Sequence, residues 1–353
     1  MVVFFRRMAA IFLFISFLIL CCSCQTTSSS DVPTSDETTI DALVPNTASD
    51  FEYDIFEKDG ERVIRLIRYK GERVDAVIPE TIEGLPVRIL LGVTETNENG
   101  YTGVVQGVFE DTAIESIYIP ASVSSLGLGT FSHCTKLKQV EFAAGCGITS
   151  LNTSSFEGCT ALTRIDLSSL SKLKGTYFSF RDCTSLKEII FPEGMTIIDE
   201  GSFLNCSALQ SLYLPDSLKE IAKNAFEGCT GIESISIGKN LRLYDSSFST
   251  VLFNSPALKR ITFRDGRESL DGYALVSITS PVSIEVPASV NVVSGDTFFN
   301  YNTMTITFAG DCPKMESEEW FGDVIVRYNP DRMGWDNCDW SAERGTLTLE
   351  PIE

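Results

Sequence analysis

Cys134, Cys159, Cys183, Cys206 and Cys229 recur at intervals of 25, 24, 23 and 23 residues, and each closes a phrase that opens on phenylalanine: FSHC, FEGC, FRDC, FLNC and FEGC. Five thiols at near-constant spacing could act as metal ligands, disulfide partners or nucleophiles, and the only histidine, His133, stands directly before the first of them. Zinc needs ligands that converge tetrahedrally on one point. A catalytic thiol needs a base, a group that orients the base, and a pocket. Neither requirement fits: the positions matching His133 hold Gly158, Asp182, Asn205 and Gly228, which are turn residues, and Ser255 replaces the cysteine in a later copy. The 48 acidic side chains are too many for any pair to stand out as catalytic. The sequence therefore argues against an enzyme, and it implies no metal or cofactor.

The cysteine phrase heads a longer repeat. FSHCTKLKQVEF (131–142), FEGCTALTRIDL (156–167), FRDCTSLKEIIF (180–191), FLNCSALQSLYL (203–214) and FEGCTGIESISI (226–237) align without gaps. Degenerate copies extend the array through FEDTAIESIYIP (109–120), FNSPALKRITF (253–263), SIEVPASVNVV (283–293) and MTITFAG (304–310). A period near 23 residues carrying Leu-x-x-Ile-x-Leu marks a solenoid. The pattern resembles the BspA-like leucine-rich repeats of bacterial surface proteins, whose unit reads roughly Cys-x-x-Leu-x-x-Ile-x-Leu-Pro-x-x-Leu-x-x-Ile-x-x-x-Ala-Phe; SLYLPDSLKEIAKNAFEGC (211–229) matches it almost position for position. The resemblance implies a leucine-rich repeat solenoid, mostly β, in which a parallel strand ladder is joined by short turns. Strands stacked about 4.8 Å apart hold the β-carbons of one column beyond the roughly 3.5–4.5 Å of a disulfide. The five thiols are therefore expected to be reduced, buried packing residues. A serine in place of Cys183 is expected to leave a buried hydroxyl poorly paired.

An open solenoid end must be covered. FEYDIFEKDGERVIRLIRYKG (51–71) holds two strand-like runs around Lys58-Asp59-Gly60, and VIPETIEGLPVRIL (77–90) resembles the start of a first unit. Residues 51–108 are thus expected to form a β-hairpin cap and a first degenerate repeat, with 92–107 as a loop insert, and residues 109–310 the solenoid proper. Residues 311–353 gather Trp320, Trp335 and Trp340. They look like the segment that closes many BspA-like arrays, so a C-terminal cap is expected, with an aromatic ligand platform as the alternative. Cys312 and Cys338 lie outside the column, and pairing between them is left open on compartment grounds. Cys146 has no evident partner.

The formal charge of -20 repels phosphate backbones and argues against nucleic-acid binding. Arg6 and Arg7 precede an apolar run, 9–20, that is too short to span a bilayer as a helix and reads as an export signal. The CCSCQTTSSS that follows resembles the lipobox of bacterial lipoproteins. That resemblance implies a signal peptide over 1–23 and a lipidated Cys24, so that the protein is exported and held at the cell surface or outer membrane. Because Leu20 lies four residues before Cys24 rather than three, Cys21 and Cys22 remain alternative anchors, as does an ordinary cleaved signal. Residues 24–50, rich in Ser, Thr, Asp and Pro, are expected to be a disordered tether.

Side chains alternate along a strand, so Leu-x-x-Ile-x-Leu leaves two positions per turn pointing outward, onto the face that is concave in such repeats. One outward column includes Arg164; the other runs Tyr118, Glu141, Asp166, Ile190, Tyr213, Ser236, Thr262. Tyr118, Arg164, Asp166, Ile190 and Tyr213 are the candidate partner contacts, the tyrosines as anchors. Strand propensity alone is the competing explanation for Tyr and Ile. Members of the family are associated with adhesion to matrix proteins and with coaggregation, which implies a protein partner at a host or partner-cell surface. A structural spacer and a glycan-binding module are the alternatives.

Overall fold

The computed structural model describes residues 44–99, 102–242, 255–270, 278, 281–294, 303–316, 323–338, 340 and 345–352. They form a parallel β solenoid of about 11 turns, and among them there is no α-helix. Each repeat contributes a short strand, Ser116–Ile119, Gln139–Phe142, Arg164–Asp166, Glu188–Ile190, Ser211–Tyr213, Ser234–Ile237 and Arg260–Phe263 in turn. Parallel pairing joins the first two to Asp75–Val77, the next two to each other, and the last three to the strands that follow. Isoleucine, valine or leucine at the centre of each strand is buried, and the residues on either side are not, which is the alternation that a half-buried strand imposes. A second ladder of two-residue strands, such as Ser150–Leu151 with Gly175–Thr176 and Ile197–Ile198 with Glu220–Ile221, runs along another side of the coil.

The third side carries the phenylalanine–cysteine phrase. Phe109, Phe131, Phe156, Phe180, Phe203 and Phe226 are fully or almost fully buried, their ring centroids 5.0–5.2 Å apart and their planes within 20° of parallel. Tyr69 and Phe51 of the cap extend this stack by two rings. The five thiols are buried beside it, and each donates a hydrogen bond to the carbonyl of the phenylalanine one turn earlier. Cys134 reaches Phe109 O at 3.0 Å, Cys159 reaches Phe131 O at 3.2 Å, Cys183 reaches Phe156 O at 3.0 Å, Cys206 reaches Phe180 O at 3.1 Å and Cys229 reaches Phe203 O at 3.0 Å. Cys146 follows a similar rule, donating to Pro120 O at 3.2 Å. The residue before each cysteine, Asp111 in the cysteine-free copy and then His133, Gly158, Asp182, Asn205 and Gly228, has φ between 54° and 77°. Glycine, asparagine and aspartate tolerate that left-handed region best, so the variable slot is a backbone requirement.

Four expectations change. Residues 44–50, expected to be tether, belong to the folded unit: buried Asn46 bonds both backbone groups of Val77, its N–H to Val77 O at 2.9 Å and its Oδ1 accepting from Val77 N at 2.7 Å, and so closes the free edge of Asp75–Val77. The expected loop at 92–107 contains an antiparallel pair, Val93–Thr96 with Thr102–Gln106. The array does not stop at 310, because Val324–Tyr328 and Leu347–Pro351 add two further rungs to the main ladder. A serine in the cysteine slot need not be poorly paired: Ser255 donates to Thr230 O at 2.9 Å, a different carbonyl from the phenylalanine one that the thiols use. The hairpin cap is as expected, Phe51–Lys58 antiparallel to Glu61–Tyr69 around Asp59-Gly60, and its second strand pairs in parallel with Leu85–Leu90 of the first unit.

Two stability outcomes follow from the thiol column. Cys183→Ala removes the donor to Phe156 O and leaves a small void, and is expected to cost about 1–2 kcal/mol, with Cys183→Ser less damaging because its hydroxyl can still find a backbone carbonyl, as Ser255 does. Urea denaturation measures both, and the reverse order would remove the hydrogen bond from the account. Burial pushes the Cys134 and Cys183 thiols up to about 12 from an ordinary 9.0. The preference of the folded state for neutral thiols is therefore complete below about pH 9 and is lost as pH rises from there towards 12. Urea midpoints should fall above pH 9, and less steeply in Cys183→Ala.

Candidate partner-binding face

The register of the ladder decides which outward side chains stand beside one another. Tyr118 is paired with Val77 on one side and Glu141 on the other. Arg164 and Asp166 are paired with Glu188 and Ile190, and Ser211 and Tyr213 with Ser234 and Ser236. All five candidate residues therefore lie on the outward face of the strands, with Arg164 in one column and Tyr118, Asp166, Ile190 and Tyr213 in the other. Tyr213, at 56% exposure, is the most open large apolar side chain on these strands; Tyr118 and Ile190 are half-buried between their neighbours.

Arg164 is engaged within the face. Its Nε donates to Glu188 Oε2 and its Nη2 to Asp166 Oδ2, both at 3.2 Å, while Asp166 Oδ1 accepts from Ser168 N at 2.9 Å. Burial first, and then the carboxylates of Glu141 and Glu80, push the Tyr118 hydroxyl above the usual phenol range.

Tyr213 has a partner that sequence reasoning missed. Arg264 lies with its guanidinium carbon 4.3 Å from the Tyr213 ring centroid, donates to the Tyr213 hydroxyl and to Leu214 O at 2.9 Å, and meets Asp216 Oδ1 at 2.6 Å. Reaching back two turns requires a low point between them, and Ser236 supplies it, standing between Tyr213 and Thr262 in the ladder. A signal was available: the position just after the strand holds Pro120, Ala143, Ser168, Pro192, Pro215 and Gly238 in the other repeats, and Arg264 is the one long side chain in that series.

His133 is exposed, its Nδ1 2.8 Å from Ser132 Oγ. Trp335 and Trp340 are buried against Phe308 and each other, Trp335 stacks on Tyr328, and the Trp335 indole donates to Gly310 O at 3.1 Å, so these two rings fill the C-terminal core instead of forming an open platform. Cys24 and Trp320 lie outside the described residues. Among those residues, no group of three His, Cys, Asp or Glu side chains is arranged to hold a metal ion.

A family model described as the BspA type leucine rich repeat region matches the chain in 6 copies, over residues 102–233, 176–252 and 198–322. No curated protein matches it. Among solved structures, the T. pallidum leucine rich repeat protein is 23% identical, covering 62% of this chain and 86% of its own, with a TM-score of 0.40. The pneumococcal vaccine antigen PcpA is 14% identical over 87% of this chain and 98% of its own, with a TM-score of 0.41. A leucine rich cell surface protein from Faecalibacterium prausnitzii is 16% identical over 89% and 96%, with a TM-score of 0.37.

Outward strand residues contribute little to stability when nothing leans on them. Tyr213 is different: Tyr213→Ala is expected to cost about 1 kcal/mol through the lost Arg264 stacking. Arg264→Ala should cost less in that background than alone, and a double-mutant cycle with no coupling would separate the two residues.

Proposed function

The chain belongs to the BspA-type leucine-rich repeat family, and on that premise we propose that it is a surface-anchored lipoprotein whose strand face binds proteins of a host or partner cell. The observation that carries this reading is the strip of unlike side chains that the register assembles: Tyr118, Arg164, Asp166, Ile190 and Tyr213 on one outward face of a ladder. An open face made of consecutive rungs suits an extended protein surface better than a small molecule, which needs a concave pocket to bury most of its area. Each of its strands is paired with at least one neighbouring strand, so a partner meets a preorganised surface and little ordering cost falls on this side of the complex. Arg164, clamped by Glu188 and Asp166, presents a fixed guanidinium edge, and Tyr213 presents the ring edge that Arg264 does not cover. Anchoring rests on the lipobox-like CCSCQTTSSS, with Cys24 as the lipidated residue and the segment after it as the leash that carries the solenoid away from the membrane.

Affinity capture with the full chain as bait tests the binding reading. Tyr118→Ala and Tyr213→Ala should each weaken the recovered partner by about 2 kcal/mol, the range for aromatic anchors. Unchanged affinity in the double variant would remove the strand face as the interface, and capture of nothing would favour the spacer. Cys24→Ala should move the protein out of the membrane fraction; retention there would transfer the anchor to Cys21 or Cys22 or end the lipoprotein reading.

A further inference from the structure

The carboxylates of the strand face are not distributed evenly with respect to their counter-ions. On later rungs Asp166 and Glu188 share Arg164, Glu233 meets Lys259 at 2.9 Å, Glu285 meets Arg260 at 3.9 Å and Glu350 meets Arg327 at 3.3 Å. On the first rungs, Glu115 pairs with Lys138 at 2.7 Å and Asp75 accepts from Ser116 Oγ at 2.7 Å. Glu80 and Glu141 have neither an ion pair nor a side-chain hydrogen bond among the described residues. Both act on the same ring: Glu141 is the ladder neighbour of Tyr118, and Glu80 lies just past the end of Asp75–Val77, the strand on its other side. Their negative charge reaches the Tyr118 hydroxyl.

We propose that this N-terminal part of the strand face is the docking point for a lysine or arginine side chain of the protein partner, whose cation lies on the Tyr118 ring between the Glu80 and Glu141 carboxylates. The proposal rests on the protein-binding reading above and adds the chemistry of the contact. Charge complementarity carries it. An aromatic face attracts a cation through its quadrupole, more strongly where the ring is partly desolvated, as half-buried Tyr118 is. Two carboxylates beside one ring that no cation of this chain neutralises are complementary to such a cation, whereas Asp166, Glu188, Glu233, Glu285 and Glu350 already have theirs. A basic partner is also steered towards a chain of net charge -20, so the long-range field and the local contact act together.

The test is binding of a fluorescein-labelled hexalysine peptide to the full chain, read by anisotropy at low and physiological ionic strength. The Glu80→Gln/Glu141→Gln variant should lose about tenfold in affinity, Tyr118→Ala about three- to tenfold, and Tyr118→Phe less than about twofold, since a phenyl ring keeps the cation contact. Glu200→Gln/Glu227→Gln removes the same charge away from the strand face and should lose less than about twofold. Equal losses in the two double variants would reduce the effect to the general acidity of the chain and overturn the proposal, as would wild-type affinity in Glu80→Gln/Glu141→Gln. All these carboxylates are solvent-accessible, and circular dichroism melting confirms that each variant folds. The protein-binding reading fails separately: if a captured partner still depends on Tyr118 and Tyr213 while hexalysine does not distinguish the variants, the face binds protein but not through a cation.

Discussion

The carbonyls of Phe131, Phe156, Phe180 and Phe203 each accept two hydrogen bonds, one from the backbone N–H of the cysteine three residues on and one from the thiol of the next turn's cysteine. Phe156 O, for example, takes Cys159 N at 3.3 Å and the Cys183 thiol at 3.0 Å. The first bond makes the tight turn and the second fastens that turn to its neighbour. One group thus couples local to long-range structure. A single turn cannot bury enough apolar area to offset its backbone entropy, so the stacking contact has to be specified within every turn. The left-handed residue before the cysteine aims the thiol, and the phenylalanine ring falls into a stack with the rings before and after it. Cysteine suits the position because it packs as a small apolar residue and still donates a weak hydrogen bond. Removing it from water keeps the proton on the sulfur, which is why burial raises the thiols of Cys134, Cys159, Cys183 and Cys206 and leaves them poor nucleophiles.

Once that seam fixes the offset between turns, the strand face has no freedom of register. A slip by one residue would turn Ile117, Ile165 and Leu212 outward, so the inward set locks the outward set as well. The face is then a lattice whose side chains can vary without disturbing the core. Arg264 is where this independence breaks down: it leaves its own turn, crosses Ser236 and uses Tyr213 and Asp216 two turns away as a seat. A residue of the candidate interface there also ties together three turns beside a stretch of the array in which the cysteine has been replaced by serine.

How much of this the sequence disclosed depends on whether a feature repeats. The solenoid, the inward and outward columns and the turn nature of the His133 slot could all be read, because each is sampled five times or more and period-two alternation is unambiguous when aligned. Asn46 could not be, since one polar residue that completes a strand edge leaves no pattern. The pair Val93–Thr96 with Thr102–Gln106 was hidden because its strands are polar and lie outside the repeat, although Asn99-Gly100 is a hairpin turn signal. Val324–Tyr328 and Leu347–Pro351 were assigned to a cap because they keep the strand and drop the phenylalanine–cysteine phrase. Arg264 and Tyr213 are separated by 51 residues, and pairing across that distance is visible only once the stacking is known.

The division of charge along the face follows from the same geometry. Opposite-signed side chains on adjacent rungs lie within ion-pair reach, so a ladder neutralises itself wherever arginine and carboxylate fall in register, as at Arg164 with Glu188 and Arg327 with Glu350. Such exposed pairs contribute little to stability, but they remove those charges from the inventory a partner can use, because a partner would have to break one contact to make another. A rung whose carboxylate stands opposite a tyrosine has no such internal competitor. What separates a self-neutralised rung from one left with an unpaired carboxylate is thus the identity of one residue per turn, at a position where the fold itself is indifferent.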